Sequence, residues 1–123
     1  MESILKTIKK LLGISDEETH FDTDLIIHIN SVFSTLHQIG VGPNKSFSIQ
    51  DDKETWDNFI EDDSNFNDVR TYMYLKVKLL FDPPLNSNVM SSMERQISEL
   101  EWRLSVDAFA KTMEEINNEE EIY

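Results

Sequence analysis

The chain has 123 residues, 24 acids against 11 bases, a net charge of −13 and no cysteine. That length holds one domain with a sizeable core, and the missing thiols exclude disulfides, thiolate metal centres and cysteine nucleophiles. An acidic surface repels phosphate, which disfavours duplex nucleic acid as a ligand, and no run approaches the roughly 20 apolar residues that span a bilayer. The N-terminal segment mixes three lysines with its apolar residues, unlike a signal peptide.

With three glycines, three prolines and 39% apolar residues, the chain reads as mostly regular structure. Residues 2–12 form an amphipathic helix: Ile4, Leu5, Ile8, Leu11 and Leu12 make the stripe, with Lys6, Lys9 and Lys10 outside it. Gly13 ends it, and Ser15 with Glu18 marks a turn. Residues 23–39 form a stronger helix, capped by Asp22 or Thr23, with Leu25, Ile29, Val32, Leu36 and Ile39 stepping by four and three. Ile26 and Phe33 widen that stripe, and Gly40 and Gly42-Pro43 stop the helix.

Residues 41–52 read as a loop in which Phe47 and Ile49 lie in a short strand or an extended segment packed on the helices. A short helix is expected at 53–60, with Asp51 and Glu54 at capping spacing and Trp56, Phe59 and Ile60 on one face. Glu61–Asp63 is an acidic turn, and Ser64 can cap the helix at 65–81. Phe66, Val69, Met73, Val77 and Leu80 make the main stripe of that helix. Tyr72, Leu75, Leu79 and Phe81 fill its flank, which marks it as central. Asp82-Pro83-Pro84 ends it.

The last helical stretch, 88–117 with Ser87 or Asn88 as cap, carries two stripes. Met90, Met93, Ile97, Leu100 and Leu104 step by three and four; Trp102, Val106, Phe109, Met113 and Ile116 do the same in another phase. Trp102 and Leu104 are two residues apart, about 200° around a helix, so the stripes face nearly opposite ways. Either the helix bends to keep packing on its own domain, or its end leaves the domain and meets another chain. The expected architecture is all-α: four main helices plus a short one, a helical domain over 1–104 and a C-terminal arm with an acidic tail over 105–123. The expected core holds Leu25, Ile29, Phe33, Leu36, Val69, Met73, Val77, Leu80, Ile97, Leu100 and Leu104.

Little in the chain suggests chemistry. His20, His28 and His37 lack the i, i+4 spacing of a helical metal pair. The pairs Asp22/Asp24 and Asp51/Asp52 lack a glycine-centred calcium loop and read as capping or solvated acids. There is no nucleophile elbow, phosphate loop or dinucleotide fingerprint. The expectation is a non-enzymatic protein that needs no metal or organic cofactor.

The order of segments carries a resemblance. Phe21-Asp22-Thr23-Asp24-Leu25-Ile26-Ile27 opens a helix containing Ile29-Asn30-Ser31-Val32-Phe33; Gly40-Val41-Gly42-Pro43, Phe47-Ser48-Ile49 and Thr55-Trp56-Asp57-Asn58-Phe59 follow. Then Val69 to Phe81 runs into Asp82-Pro83-Pro84, and Met93 to Leu100 precedes Glu101-Trp102-Arg103-Leu104. Over roughly residues 4–104 this resembles the small head–tail connector (adaptor) proteins of long-tailed phages and prophages of low-GC Gram-positive bacteria. The resemblance implies a helical virion protein of the neck, made in the host cytoplasm. It implies a homo-oligomeric ring, a dodecamer, bound beneath the portal protein, with DNA only as passing cargo and a further neck (stopper) or tail-completion protein docked below. It also implies a C-terminal helix or arm that docks on portal, which assigns Trp102, Val106, Phe109, Met113 and Ile116 to partner binding. Two other readings are an acidic DNA mimic that inhibits a DNA-binding protein, and a different neck or tail-completion protein. The mimic would need carboxylates in rows, whereas here they sit in loops, caps and the tail.

Overall fold

A computed structural model gives the fold; it describes residues 2–60 and 65–121, and for residues 120 and 121 the backbone alone. The acidic turn at 61–63 and the Ser64 cap expected from sequence lie outside the described residues. The elements are α1 (Ile4–Leu11), α2 (Asp22–Gln38), α3 (Trp56–Phe59), α4 (Phe66–Phe81) and α5 (Ser87–Glu121). Among the described residues the only β pairing is one isolated antiparallel bridge, Ser3 to Thr55. The molecule is an all-α bundle, as the helical periodicity predicts.

Ser3 starts α1: its hydroxyl accepts from the Lys6 N–H at 3.3 Å, and Ile4, Leu5 and Ile8 are buried behind it. Leu11 is exposed, unlike the rest of its predicted stripe. Lys9 departs from expectation in the other direction. Only 2% exposed, it sets its ammonium 2.9 Å from Asp22 Oδ1 and 3.2 Å from the Asp16 carbonyl. A lysine beside an apolar stripe can bury its stem when its head finds oxygen atoms. Asp22 Oδ1 itself lacks a well-angled hydrogen bond, so its contact with Lys9 is an ion pair. Asp22 therefore does not cap α2 through its side chain; it is the first helical residue, and with Asp24 it complements the positive end of the helix dipole.

At the other end of α2, Gly40 takes φ of 88° and the Val41 N–H returns to the Leu36 carbonyl at 2.9 Å, closing the helix. The loop that follows is extended but forms no strand. Asn30 on α2 does the work of a strand partner. Its side-chain oxygen accepts from the Ile49 N–H at 2.7 Å, and its amide donates to the Ile49 carbonyl at 2.9 Å. This holds Ile49 in the core with both backbone groups satisfied. Phe47 then meets Phe33 and Phe59 with ring centroids 4.9 and 5.3 Å away. Gly42, at φ of 98°, leaves room for the Phe59 ring, which a Cβ there would overlap.

The short helix begins three residues later than predicted. Glu54 accepts from the N–H groups of Gln50 and Asp51, and Asp51 accepts from Lys53, so these acids shape a turn. The chain next runs extended beside the N-terminus: Ile4 donates to the Glu54 carbonyl at 3.0 Å and Trp56 to the Glu2 carbonyl at 3.3 Å. Thr55 opens α3, its N–H donating to Asn58 Oδ1 at 2.9 Å. Trp56 is fully buried, and its indole donates to Thr7 Oγ1 at 3.1 Å, joining α1 to α3.

The central helix is α4, which packs on both α2 and α5. It runs antiparallel to α2, since Phe21 at the start of α2 meets Phe81 at the end of α4, with centroids 5.3 Å apart. It runs antiparallel to α5, since Tyr72 pairs with Glu101 while Asp68, a turn earlier, faces Arg103. Val69, Tyr72, Met73, Leu75 and Val77 are buried, but Leu80 is not. Leu80 is 52% exposed although it continues the Val69–Val77 stripe. In this last turn Leu79 and Phe81 pack against the core, and Leu80, between them, is left facing solvent. Of the expected core, Leu80 alone is corrected; Leu25, Ile29, Phe33, Leu36, Val69, Met73, Val77, Ile97, Leu100 and Leu104 are all buried.

Candidate partner-binding face on the last helix

Asn86 caps α5, in place of the predicted Ser87 or Asn88: its side-chain oxygen accepts from the N–H groups of Asn88 and Val89 at 2.8 and 3.2 Å. From there α5 is one unbroken helix of 35 residues, about 52 Å long at 1.5 Å per residue. The first stripe serves the body of the protein. Ile97, Leu100 and Leu104 are buried and Met93 packs partly against the same core.

Polar contacts fasten this half to α4. The Tyr72 hydroxyl, within the core, donates to Glu101 Oε1 at 2.6 Å. Burial, reinforced by the Glu101 carboxylate, pushes the Tyr72 phenol well above the ordinary tyrosine range. Lys76 stands 3.9 Å from the same carboxylate and Arg103 3.9 Å from Asp68; both pairs are partly exposed and add little.

The second stripe is open. Trp102 is 66% exposed and Phe109 67%, and Val106, Met113 and Ile116 are also exposed. All five lie within a narrow band along about 21 Å of helix. The helix therefore does not bend to bury them. Nor does it part from the body at residue 104. Ala108 packs partly against the core, and its Cβ stands 3.3 Å from where a Cβ at Gly40 would sit. Beyond it, Lys111, Thr112 and Glu115 line one wall of a cleft of about 510 Å³ whose other wall is the 40–44 loop and residues 58–60. One side of α5 thus faces its own domain to about residue 115, while the far side, with the five apolar residues, faces solvent.

A second apolar surface lies at the other end of the hairpin. Leu85 is fully exposed in the α4–α5 turn, with Leu80 and Val89 exposed on either side. Periodicity does not reveal it, because Leu85 belongs to no helix. The only sequence sign is an aliphatic residue placed between Pro83-Pro84 and Asn86. Among the described residues no group of three or more histidine, aspartate or glutamate side chains could hold a metal ion. No described helix is long and apolar enough to cross a membrane.

Searches of curated proteins and of solved structures returned no match. A family model described as phage connector protein matches residues 4–111. The match takes in the whole helical body together with Trp102, Val106 and Phe109, and stops short of Met113 and Ile116. This all-α chain, whose last helix turns one apolar stripe outward and which the family model matches over residues 4–111, belongs to the phage connector protein family.

Proposed function

We propose that the protein is a structural, non-enzymatic component of the virion neck. In this reading it forms a ring, a dodecamer, beneath the portal. The ring extends the DNA exit channel and presents a surface for the next neck or tail-completion protein. The observation that carries this reading is the open stripe Trp102, Val106, Phe109, Met113 and Ile116 on a chain of the connector family. Five aligned apolar side chains of this size, left in water, mark an interface. Full burial of each is worth about 1.5–3 kcal/mol before the cost of association, and the stripe is assigned to the portal or to a neighbouring subunit.

The charge distribution supports the channel role. Residues 13–64 carry twelve acids and two bases, and residues 86–123 nine acids and three bases. A negative wall offers DNA no counterion-releasing contacts, so DNA passes without sticking. The test is co-sedimentation of the full chain with portal rings, alongside a Phe109→Asp variant. The wild-type chain is expected to bind and the variant to fail. A wild-type chain that ignores portal and instead captures a nuclease or repressor would point to a DNA mimic and end this reading.

A further inference from the structure

We propose that two copies of the free chain pair through the open face of α5 with their helices antiparallel, and that this pairing covers the face before any other partner does. The stripe follows a heptad: Trp102, Val106, Phe109, Met113 and Ile116 step by four, three, four and three, the spacing of a two-helix seam. It faces nearly opposite the Ile97–Leu104 stripe that α5 gives to its own body. The two bodies would therefore sit on the outer sides of the helix pair, clear of one another. Three of the residues that flank the seam, Ser105, Ala110 and Thr112, are small and let the two backbones approach.

Charge decides the direction. Carried back by one heptad, the seam reaches Arg95 and Glu99, both exposed. A parallel pair would set Arg95 against Arg95 and Glu99 against Glu99, and would bring the acidic ends of the helices together. An antiparallel pair with Trp102 opposite Met113 and Val106 opposite Phe109 avoids these clashes. The same register sets Ile116 opposite Glu99 and keeps the acidic ends apart, with Glu119 of each copy one position from the residue across from Arg95 of the other. The same patch meets itself across a two-fold axis, so the contact closes at two copies. A seam of two heptads is short, so association is expected to be reversible and concentration-dependent, weakened by salt at its charged ends.

Sedimentation equilibrium of the full chain over a wide concentration range tests this, with circular dichroism confirming that each variant keeps its helix content. The wild-type chain is expected to move from one to two chain masses, and Phe109→Asp to stay at one. Arg95→Glu and Glu119→Arg are each expected to weaken pairing about threefold to tenfold, and the double exchange to restore it. A wild-type chain that stays monomeric throughout overturns the proposal. So does a dimer indifferent to Phe109→Asp, or a double exchange that fails to restore what the single changes lost. No portal enters the experiment, so a monomeric chain that still binds portal rings would remove this inference and leave the ring reading intact.

Discussion

Replacing Asn30 tests the part of the fold that helical packing does not explain. Asn30→Ala removes two hydrogen bonds of 2.7 and 2.9 Å and leaves the N–H and carbonyl of buried Ile49 without partners. Each buried, unsatisfied backbone group costs about 1–3 kcal/mol, so the loss from the two is about 2–6 kcal/mol. At about 2.1 cal/mol/K per residue the unfolding entropy of a chain this long is about 260 cal/mol/K, so the melting temperature should fall by about 8–23 °C. Asn30→Asp separates the two bonds. The carboxylate still accepts from the Ile49 N–H but faces the Ile49 carbonyl, which it repels. Protonation restores a donor, so the native state holds the carboxyl proton more tightly than the unfolded chain does. The stability of Asn30→Asp relative to wild type should then rise as the pH falls through that raised pKa. Thermal unfolding followed by circular dichroism at several pH values measures both effects. A shift of less than about 2 °C for Asn30→Ala would mean that water replaces the side chain, and would refute the account of the 41–55 loop.

Three further outcomes are expected. Leu104→Ala should cost about 2–5 kcal/mol in urea unfolding, while Leu80→Ala should cost less than about 1 kcal/mol; equal losses would contradict the burial assignments. Tyr72→Phe should cost about 1–3 kcal/mol by leaving Glu101 without its donor. Because the folded state raises the Tyr72 pKa, its contribution is intact below the unfolded value near 10 and is lost above it; the variant should lose stability less steeply than wild type above about pH 10. Truncation after Ser105 should leave a folded body, less the small contribution of Ala108, while abolishing incorporation into necks; an unfolded product, or normal incorporation, would each end the docking assignment.

The parts of the fold legible in the sequence were those governed by one strong regularity. A period of 3.6 with glycine or proline at the ends located α2, α4 and α5, because a stripe of side chains has to be covered and glycine and proline stop helices. The same rule misplaces Leu80, since periodicity gives a direction and not the presence of a neighbour in that direction. It also misses Lys9, whose burial depends on Asp16 and Asp22 arriving from another segment. Asn30 bonds to a residue nineteen positions away, a contact no local pattern encodes. The candidate face on α5 was readable because its two stripes conflict in phase along one helix. The apolar turn at Leu85 was not, because a single exposed aliphatic residue has no phase.

The brace between Ala108 and Gly40 gives α5 the mechanics of a supported beam. An α-helix cannot shorten or fold without breaking its hydrogen-bond ladder, so a load at its end is passed along as torque. The 13 residues from Ala108 to Glu121 overhang this support by about 20 Å, and a tilt of about 10° there carries the tip about 3.5 Å. On the other side, 21 residues run back about 31 Å to Ser87 and the exposed Leu85 turn. Between that support and the turn, the buried Ile97–Leu104 stripe and the Tyr72–Glu101 bond seat the rod on α4, so a pull on the tip is taken up by the α4–α5 hairpin, whose turn carries the second apolar surface.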